Sequence, residues 1–164
     1  MVSTKLHWGI DLGGTKIEGA VLDRDLNVLF RDRIATEGDG GYAHILGRIS
    51  SLVENMTQAT ATTPVHIGFG TPGTLDGDSG LLRGSNTVHL NDRPLDVDLR
   101  GLLGCDVSIE NDANCFALAE SRLGAAADIS DSGTVFGIIM GTGVGGGVDP
   151  NAKKWSGSAI PHDP

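Results

Sequence analysis

The chain has 164 residues and a formal net charge of −9, from 12 basic and 21 acidic side chains. That balance leaves no surplus of Lys and Arg to neutralise a phosphate backbone, and aromatics make up only 4%, so neither duplex nor single-stranded nucleic acid is expected as a partner. With 39% hydrophobic residues and 25 glycines, the composition is that of a globular domain rich in tight turns.

Residues 6–12 are a short, mostly apolar run closed by Gly13-Gly14, the pattern of a strand entering a tight turn. Two more strands are predicted over 17–23 and 26–34, with Asp23-Arg24-Asp25 as the hairpin turn between them. Tyr42, Ile45, Leu46, Ile49, Leu52, Val53 and Met56 recur at helical spacing, which predicts an amphipathic helix packed by one face on a sheet. A buried strand follows over 65–70 and breaks at Thr71-Pro72-Gly73. The Gly-, Asp- and Asn-rich stretch 74–93 reads as a loop or short hairpin. Pro94 opens a short helix that Gly104 stops, 107–109 reads as a strand and 112–123 as a helix. After a linker at 124–131, another strand at 134–140 leads into the glycine-rich stretch 141–147.

A strand meander followed by strands alternating with helices defines an α/β domain. The sequence opens without a charged-then-apolar leader, and no apolar run approaches the ~20 residues that a membrane span needs. A soluble, cytoplasmic protein without membrane contact is therefore expected. Cys105 and Cys115 form neither a metal-type pair nor a disulfide framework and read as small core residues.

Four stretches carry residue types suited to chemistry. In Asp11-Leu12-Gly13-Gly14-Thr15-Lys16, two glycines can turn backbone N–H groups toward an anion, and an aspartate just before them is placed to hold Mg²⁺ or its waters. The alternative is an ordinary hairpin turn capped by Asp11. Gly141-Thr142-Gly143-Val144-Gly145-Gly146-Gly147 formally satisfies a dinucleotide fingerprint, but Val148, Asp149 and Pro150 follow instead of a helix. It reads as a strand–turn–strand and a second phosphate-facing turn, with a plain flexible hairpin as the alternative. Asn111 and Asp112 stand where a strand ends and a helix begins, the sheet edge at which open α/β folds place ligands, although either could serve only as a helix cap. Gly70-Thr71-Pro72-Gly73 and Ser85-Asn86-Thr87 could admit a small polar ligand closely or be simple turns.

In combination, Gly9 through Lys16, Gly70 through Gly73, Glu110-Asn111-Asp112-Ala113-Asn114 and Gly141 through Gly147 resemble, in order and spacing, the motifs of the ROK family of sugar kinases. The resemblance implies an actin-like, ribonuclease H-like ATPase fold of two lobes, with ATP, Mg²⁺ and a sugar in the cleft. Carried over by position, Asp112 is the catalytic base, and Asn86, Asn111 and the backbone near Gly73 hold the sugar. Asp11, Gly13, Gly14, Thr15 and Lys16 match the first phosphate motif, with Asp11 on the metal side, and Gly141, Thr142 and Gly143 match the second. The stretch from Ser85 to Asn91 resembles fructokinases of the family, while Asn114-Cys115-Phe116-Ala117-Leu118 resembles its N-acetylglucosamine kinases, so fructose is the favoured hexose with glucose, mannose and N-acetylglucosamine open. Sugar-responsive repressors within the family, which carry an additional DNA-binding segment, and a catalytically inactive sugar-binding module are the competing readings. Homodimers are common in the family, which adds a second copy to the expected partners.

Beyond Val148 the pattern departs from the family. The expected Gly-Glu-x-Gly-His segment is reduced to His162, read as its histidine and a sugar ligand, and no cysteine follows Cys115 to build the family's structural zinc site. The expectation is a first lobe over 1–124 and a truncated start of the second lobe over 133–164, exposing an apolar strand edge at 134–140. Weak turnover and poor solubility are expected of this chain by itself; a monodisperse monomer with full kinase turnover would contradict both.

Overall fold

A computed structural model of the chain describes residues 6–128, 133–140 and 144–152. The elements form two compact units that divide between Asn111 and Asp112.

The first unit is built on a five-stranded sheet. Its strands are β1 (His7–Leu12), β2 (Lys16–Leu22), β3 (Val28–Ala35), β4 (His66–Thr71) and β7 (Asp106–Asn111), in the spatial order β3-β2-β1-β4-β7. The first three strands are an antiparallel meander, and β4 and β7 then add in parallel to β1. Between β4 and β7 come the short hairpin of β5 (Thr74–Leu75) and β6 (Leu82–Arg83), and a helix, α2 (Leu95–Leu103). The predicted order of elements is therefore the observed one. The strand expected at 107–109 is longer and carries Asn111 as its last residue, because each of its residues pairs with β4.

Alternation along the meander decides which face is apolar. Trp8, Ile10 and Leu12 stand opposite Val21, Gly19 and Ile17 across β1 and β2, and all six are buried. The helix α1 (Tyr42–Thr60) lies on this face and buries Ile45, Ile49, Leu52, Val53 and Met56. Gly19 sets how close it comes: a Cβ there would lie 2.7 Å from Met56 Sδ and 3.1 Å from Leu52 Cδ2. From the sheet, Ile67 and Phe69 of β4 extend the same core, and Leu95 and Leu99 of α2 close it. Tyr42 donates its hydroxyl proton to Asp98 Oδ2 at 2.7 Å, tying α1 to α2; burial, and then this bond, push the Tyr42 hydroxyl well above its ordinary pKa. Cys105 packs half-buried against the core, where burial and neighbouring Asp106 push its thiol up, in keeping with a structural role.

The second unit is an α/β pair. Its helix α3 (Asp112–Leu123) covers one face of an antiparallel hairpin, β8 (Gly133–Met140) and β9 (Val144–Ala152). Contact is close because both strands present glycine to the helix. Gly137 and Gly147 pair across the hairpin, and a Cβ on Gly137 would meet Ala117 Cβ at 3.1 Å. A Cβ on Gly147 would collide with the Ala113 carbonyl and come within 2.5 Å of Asn114 N. Asp149, buried on the same face, accepts a hydrogen bond of 2.5 Å from Ser121 and lies 3.7 Å from Arg122 Nε. The opposite face exposes Phe136, Ile138, Met140, Val144 and Val148. Because β9 starts at Val144, Gly145–Gly147 are strand residues, and the rest of the stretch read as a second phosphate-facing turn, 141–143, lies outside the described residues.

No helix among the described residues is long and apolar enough to cross a membrane.

On the outer face of the meander, Glu18 receives hydrogen bonds from Arg31 Nε at 2.6 Å and from Arg33 Nε. Burial raises the Glu18 pKa, but the bonds from Arg33 and Arg31 outweigh it and hold the carboxyl below its ordinary value. The stabilisation is therefore present above the unfolded carboxylate pKa of about 4.3 and is lost as the pH falls through the lower folded value. Glu18→Gln is expected to lower stability by about 0.5–1 kcal/mol at pH 7, because both arginines are solvent-exposed. Urea titrations of the two proteins should begin to converge as the pH falls below the ordinary carboxylate value and meet below the lowered folded value; an unchanged difference across that range would assign the effect to packing.

Candidate functional site

The parallel pairing of β1, β4 and β7 brings their C-terminal ends to one edge of the sheet. Asp11 is level with Gly70, and Thr71 is level with Asn111. The buried Thr71 hydroxyl donates to Leu12 O at 3.3 Å and joins the end of β4 to the end of β1. At this edge the chain makes the Gly13–Thr15 turn, the Pro72-Gly73 turn and the exit of β7, which is where an open α/β sheet receives a ligand.

The Gly13–Thr15 turn is held from behind. Gly13 N donates to Lys16 O at 3.0 Å, Thr36 N donates to Thr15 O at 3.0 Å, and the Thr36 hydroxyl donates to Gly13 O at 2.7 Å. Among the described residues the Gly14 and Thr15 amides donate to no backbone carbonyl. Gly14, Thr15, Lys16 and Asp11 are exposed. A Cβ on Gly14 would lie 3.1 Å from Thr87 Oγ1 and 3.8 Å from Asn86 Oδ1, so the glycine keeps the turn in contact with the loop at 85–87. Two unspent amides and a glycine cradle suit a phosphoryl oxygen.

Asn111 and Gly73 meet directly: Asn111 Nδ2 donates to Gly73 O at 3.1 Å. Gly73 has a φ of +90°, and a Cβ there would collide with Arg83 O and stand 2.9 Å from Ser85 N. Both the dihedral and the close approach require glycine. The loop carrying Asn86 is braced by its own side chains. Ser85 N donates to Asn91 Oδ1 at 2.9 Å, Asn91 Nδ2 returns a bond of 2.8 Å to Ser85 O, and Thr87 N donates to Ser85 Oγ at 3.1 Å. Asn86 itself is exposed between buried Ser85 and Thr87.

Asp112 follows Asn111 in the chain and opens α3, half-buried, with its Oδ1 accepting a 2.9 Å hydrogen bond from Ala113 N. Of the residues singled out in the sequence, Asp11, Gly13, Gly14, Thr15, Lys16, Gly73, Asn86 and Asn111 sit on the loops and strand ends of the first unit, and Asp112 in the second. Gly141, Thr142, Gly143 and His162 lie outside the described residues. Thr36 matches no motif, and Thr71 stands inside the Gly70–Gly73 motif without a role of its own; a threonine beside a glycine turn is too common a pattern to announce the bonds to Gly13 O and Leu12 O. Among the described residues no three His, Cys, Asp or Glu side chains gather into a metal-binding group. One exposed carboxylate, Asp11, beside the Gly13–Thr15 turn is compatible with Mg²⁺, which keeps most of its waters and takes few protein ligands.

A lobe with this mixed sheet, an antiparallel meander extended by parallel strands, is that of the actin-like ATPase fold, and solved structures agree. The chain superposes on the ROK hexokinase of Thermus thermophilus with a TM-score of 0.76 at 33% identity, covering 91% of this chain and 48% of that one. It superposes equally, with a TM-score of 0.76 at 29% identity, on a ROK family glucokinase from Streptomyces griseus solved in complex with glucose and AMPPNP, covering 91% and 46%. The ROK family model matches residues 7–162, and the chain belongs to the ROK family. Among curated relatives, the N-acetyl-D-glucosamine kinase of Vibrio cholerae is 37% identical over 152 residues, 93% of this chain and 49% of the relative. The chain thus spans about half the length of the curated relatives it matches.

Gly73→Ala should cost about 1–3 kcal/mol of stability from backbone strain alone, with overpacking against Arg83 and Ser85 adding to it. Thermal unfolding measures this, and a loss no larger than that of Gly77→Ala, which has open space around it, would show that the turn relaxes.

Proposed function

We propose that the chain provides the acceptor-binding and base-bearing part of a cytoplasmic ATP-dependent sugar kinase. The observation that carries this reading is the bond from Asn111 Nδ2 to Gly73 O, which fixes an amide side chain at the sheet edge one residue before the Asp112 carboxylate. In this proposal residues 1–124 form the first lobe and 133–164 open the second.

Asn111, Asn86 and the Gly73 backbone bind sugar hydroxyls, and His162 adds a further contact. Asp112 accepts the proton of the attacking hydroxyl. Phosphoryl transfer passes through a loose transition state, so one oriented carboxylate is sufficient as base and takes its proton late. Asp11 and the Gly13, Gly14, Thr15 and Lys16 turn hold phosphate oxygens and metal-bound water, with Gly141, Thr142 and Gly143 as the second phosphate motif. Bound ATP with Mg²⁺ supplies the phosphoryl group and neutralises its charge. The fixed loops contribute orientation, through amides that need no rearrangement to meet an anion.

For the acceptor, two observations point to different hexoses. Curated relatives at 36–38% identity are named N-acetyl-D-glucosamine kinases, which favours N-acetylglucosamine. The stretch from Ser85 to Asn91 favours fructose by its resemblance to fructokinases. We rank the amino sugar first because the identity to the named kinases extends over 93% of the chain.

Sugar-dependent ADP release, with N-acetylglucosamine, fructose, glucose and mannose compared, tests the proposal. Release that requires one sugar and falls about 10²–10⁴-fold in Asp112→Asn, with sugar affinity retained, is the expected result. Release without sugar, or equal in Asp112→Asn, would contradict it. Sugar binding without release would favour the inactive sugar-binding module.

A further inference from the structure

Thr87 holds a hydroxyl that the fold leaves unused. The residue is 6% exposed, its Oγ1 is fully enclosed, and that atom has no hydrogen-bond partner among the described residues. Buried hydroxyls are ordinarily satisfied, so one that is not calls for a reason. Its placement is specific. Thr87 Oγ1 is the nearest atom to the space where a Gly14 Cβ would stand, 3.1 Å away, and Asn86 Oδ1 comes next at 3.8 Å.

The two segments that meet here are otherwise closed systems. The loop at 85–91 is pinned internally by Ser85 and Asn91 and by Leu90 N donating to Thr87 O at 2.9 Å. The Gly13–Thr15 turn is pinned by Thr36. Each loop satisfies itself on the side away from the other. The contact between Gly14 and Thr87 contains only an unspent hydroxyl on one side and, on the other, a turn whose Gly14 and Thr15 amides find no backbone acceptor among the described residues. A small shift of either loop lets the Thr87 oxygen accept from the turn or donate to whatever the turn holds.

We propose that Thr87 is a positioning residue that couples the Asn86 loop to the Gly13–Thr15 turn, so that a sugar on the first and a nucleotide phosphate on the second each strengthen the binding of the other. This rests on the kinase reading of the two loops and adds to it the residue through which they communicate. In the ligand-free chain the hydroxyl is a local liability. When a ligand draws the loops together it gains its partner, and linkage requires the gain to appear equally in the affinity of either ligand.

The test uses the full chain, Thr87→Val and Thr87→Ser. N-acetylglucosamine affinity is titrated calorimetrically without nucleotide and with saturating Mg²⁺–AMPPNP, and each free protein is melted. Wild type is expected to bind the sugar about fivefold or more tightly in the presence of the nucleotide. Thr87→Val should bring that ratio toward one while melting no lower than wild type, because it removes an unsatisfied group of the same shape. Thr87→Ser should keep the ratio. A merely structural Thr87 would move the melting temperature and leave the ratio alone. A wild-type ratio retained in Thr87→Val, a wild-type ratio of one, or a Thr87→Val protein that melts lower would each overturn the inference while leaving the binding of both ligands standing. Wild type that binds neither ligand would overturn the kinase reading and this inference with it.

Discussion

Parallel pairing of β1, β4 and β7 is the constraint on which the candidate site depends. Parallel strands that share a register end together, so Leu12, Thr71 and Asn111 deliver three separate loops to a single edge. The sheet stays closed at that edge because Thr71, fully buried, spends its hydroxyl on Leu12 O rather than on a ligand. The core below supports this arrangement through α1, whose approach to β2 is set by the missing side chain of Gly19. A larger residue there would force Met56 and Leu52, and with them the helix, away from the strands whose ends carry the loops.

Glycine has two duties in this chain, and they are easily confused when only residue types are known. Gly14 and Gly73 lie at the sheet edge, where the absence of a side chain keeps one loop against another and leaves backbone groups available. Gly137 and Gly147 lie inside the β8–β9 hairpin, where the same absence lets α3 sit down on the strands. A glycine-rich run of seven residues from Gly141 to Gly147 therefore combines at least a packing surface with whatever the residues at 141–143 do. Asp149, two residues after Gly147, continues the packing role by accepting the Ser121 hydroxyl.

Much of the fold was legible in the amino-acid order because its signals are local and redundant. The apolar spacing from Tyr42 to Met56 gives α1, the Pro94 and Gly104 pair brackets α2, and Gly13-Gly14 closes β1. The helix expected at 112–123 is found there, and the strand expected at 107–109 is found with longer bounds. Illegible were the pairings that act across long separations. Nothing local announces that Thr36 staples Gly13, that Thr71 reaches Leu12 or that Thr87 presses on Gly14, because threonine carries no unusual propensity in such positions. The motif residues announce chemistry, and the threonines that fix their loops become visible only once the chain is folded. ROK membership follows from a match over residues 7–162, nearly the whole chain, and so from signals spread along the sequence.

Backbone amide chemical shifts, recorded by NMR while N-acetylglucosamine is titrated into the chain, test the shared edge most directly. The account predicts that the largest changes fall on Gly73, Asn86, Thr87, Asn111 and Asp112, residues far apart in sequence, and that the Glu18, Arg31 and Arg33 cluster stays still. Changes centred on that cluster, or scattered without regard to the ends of β1, β4 and β7, would contradict it.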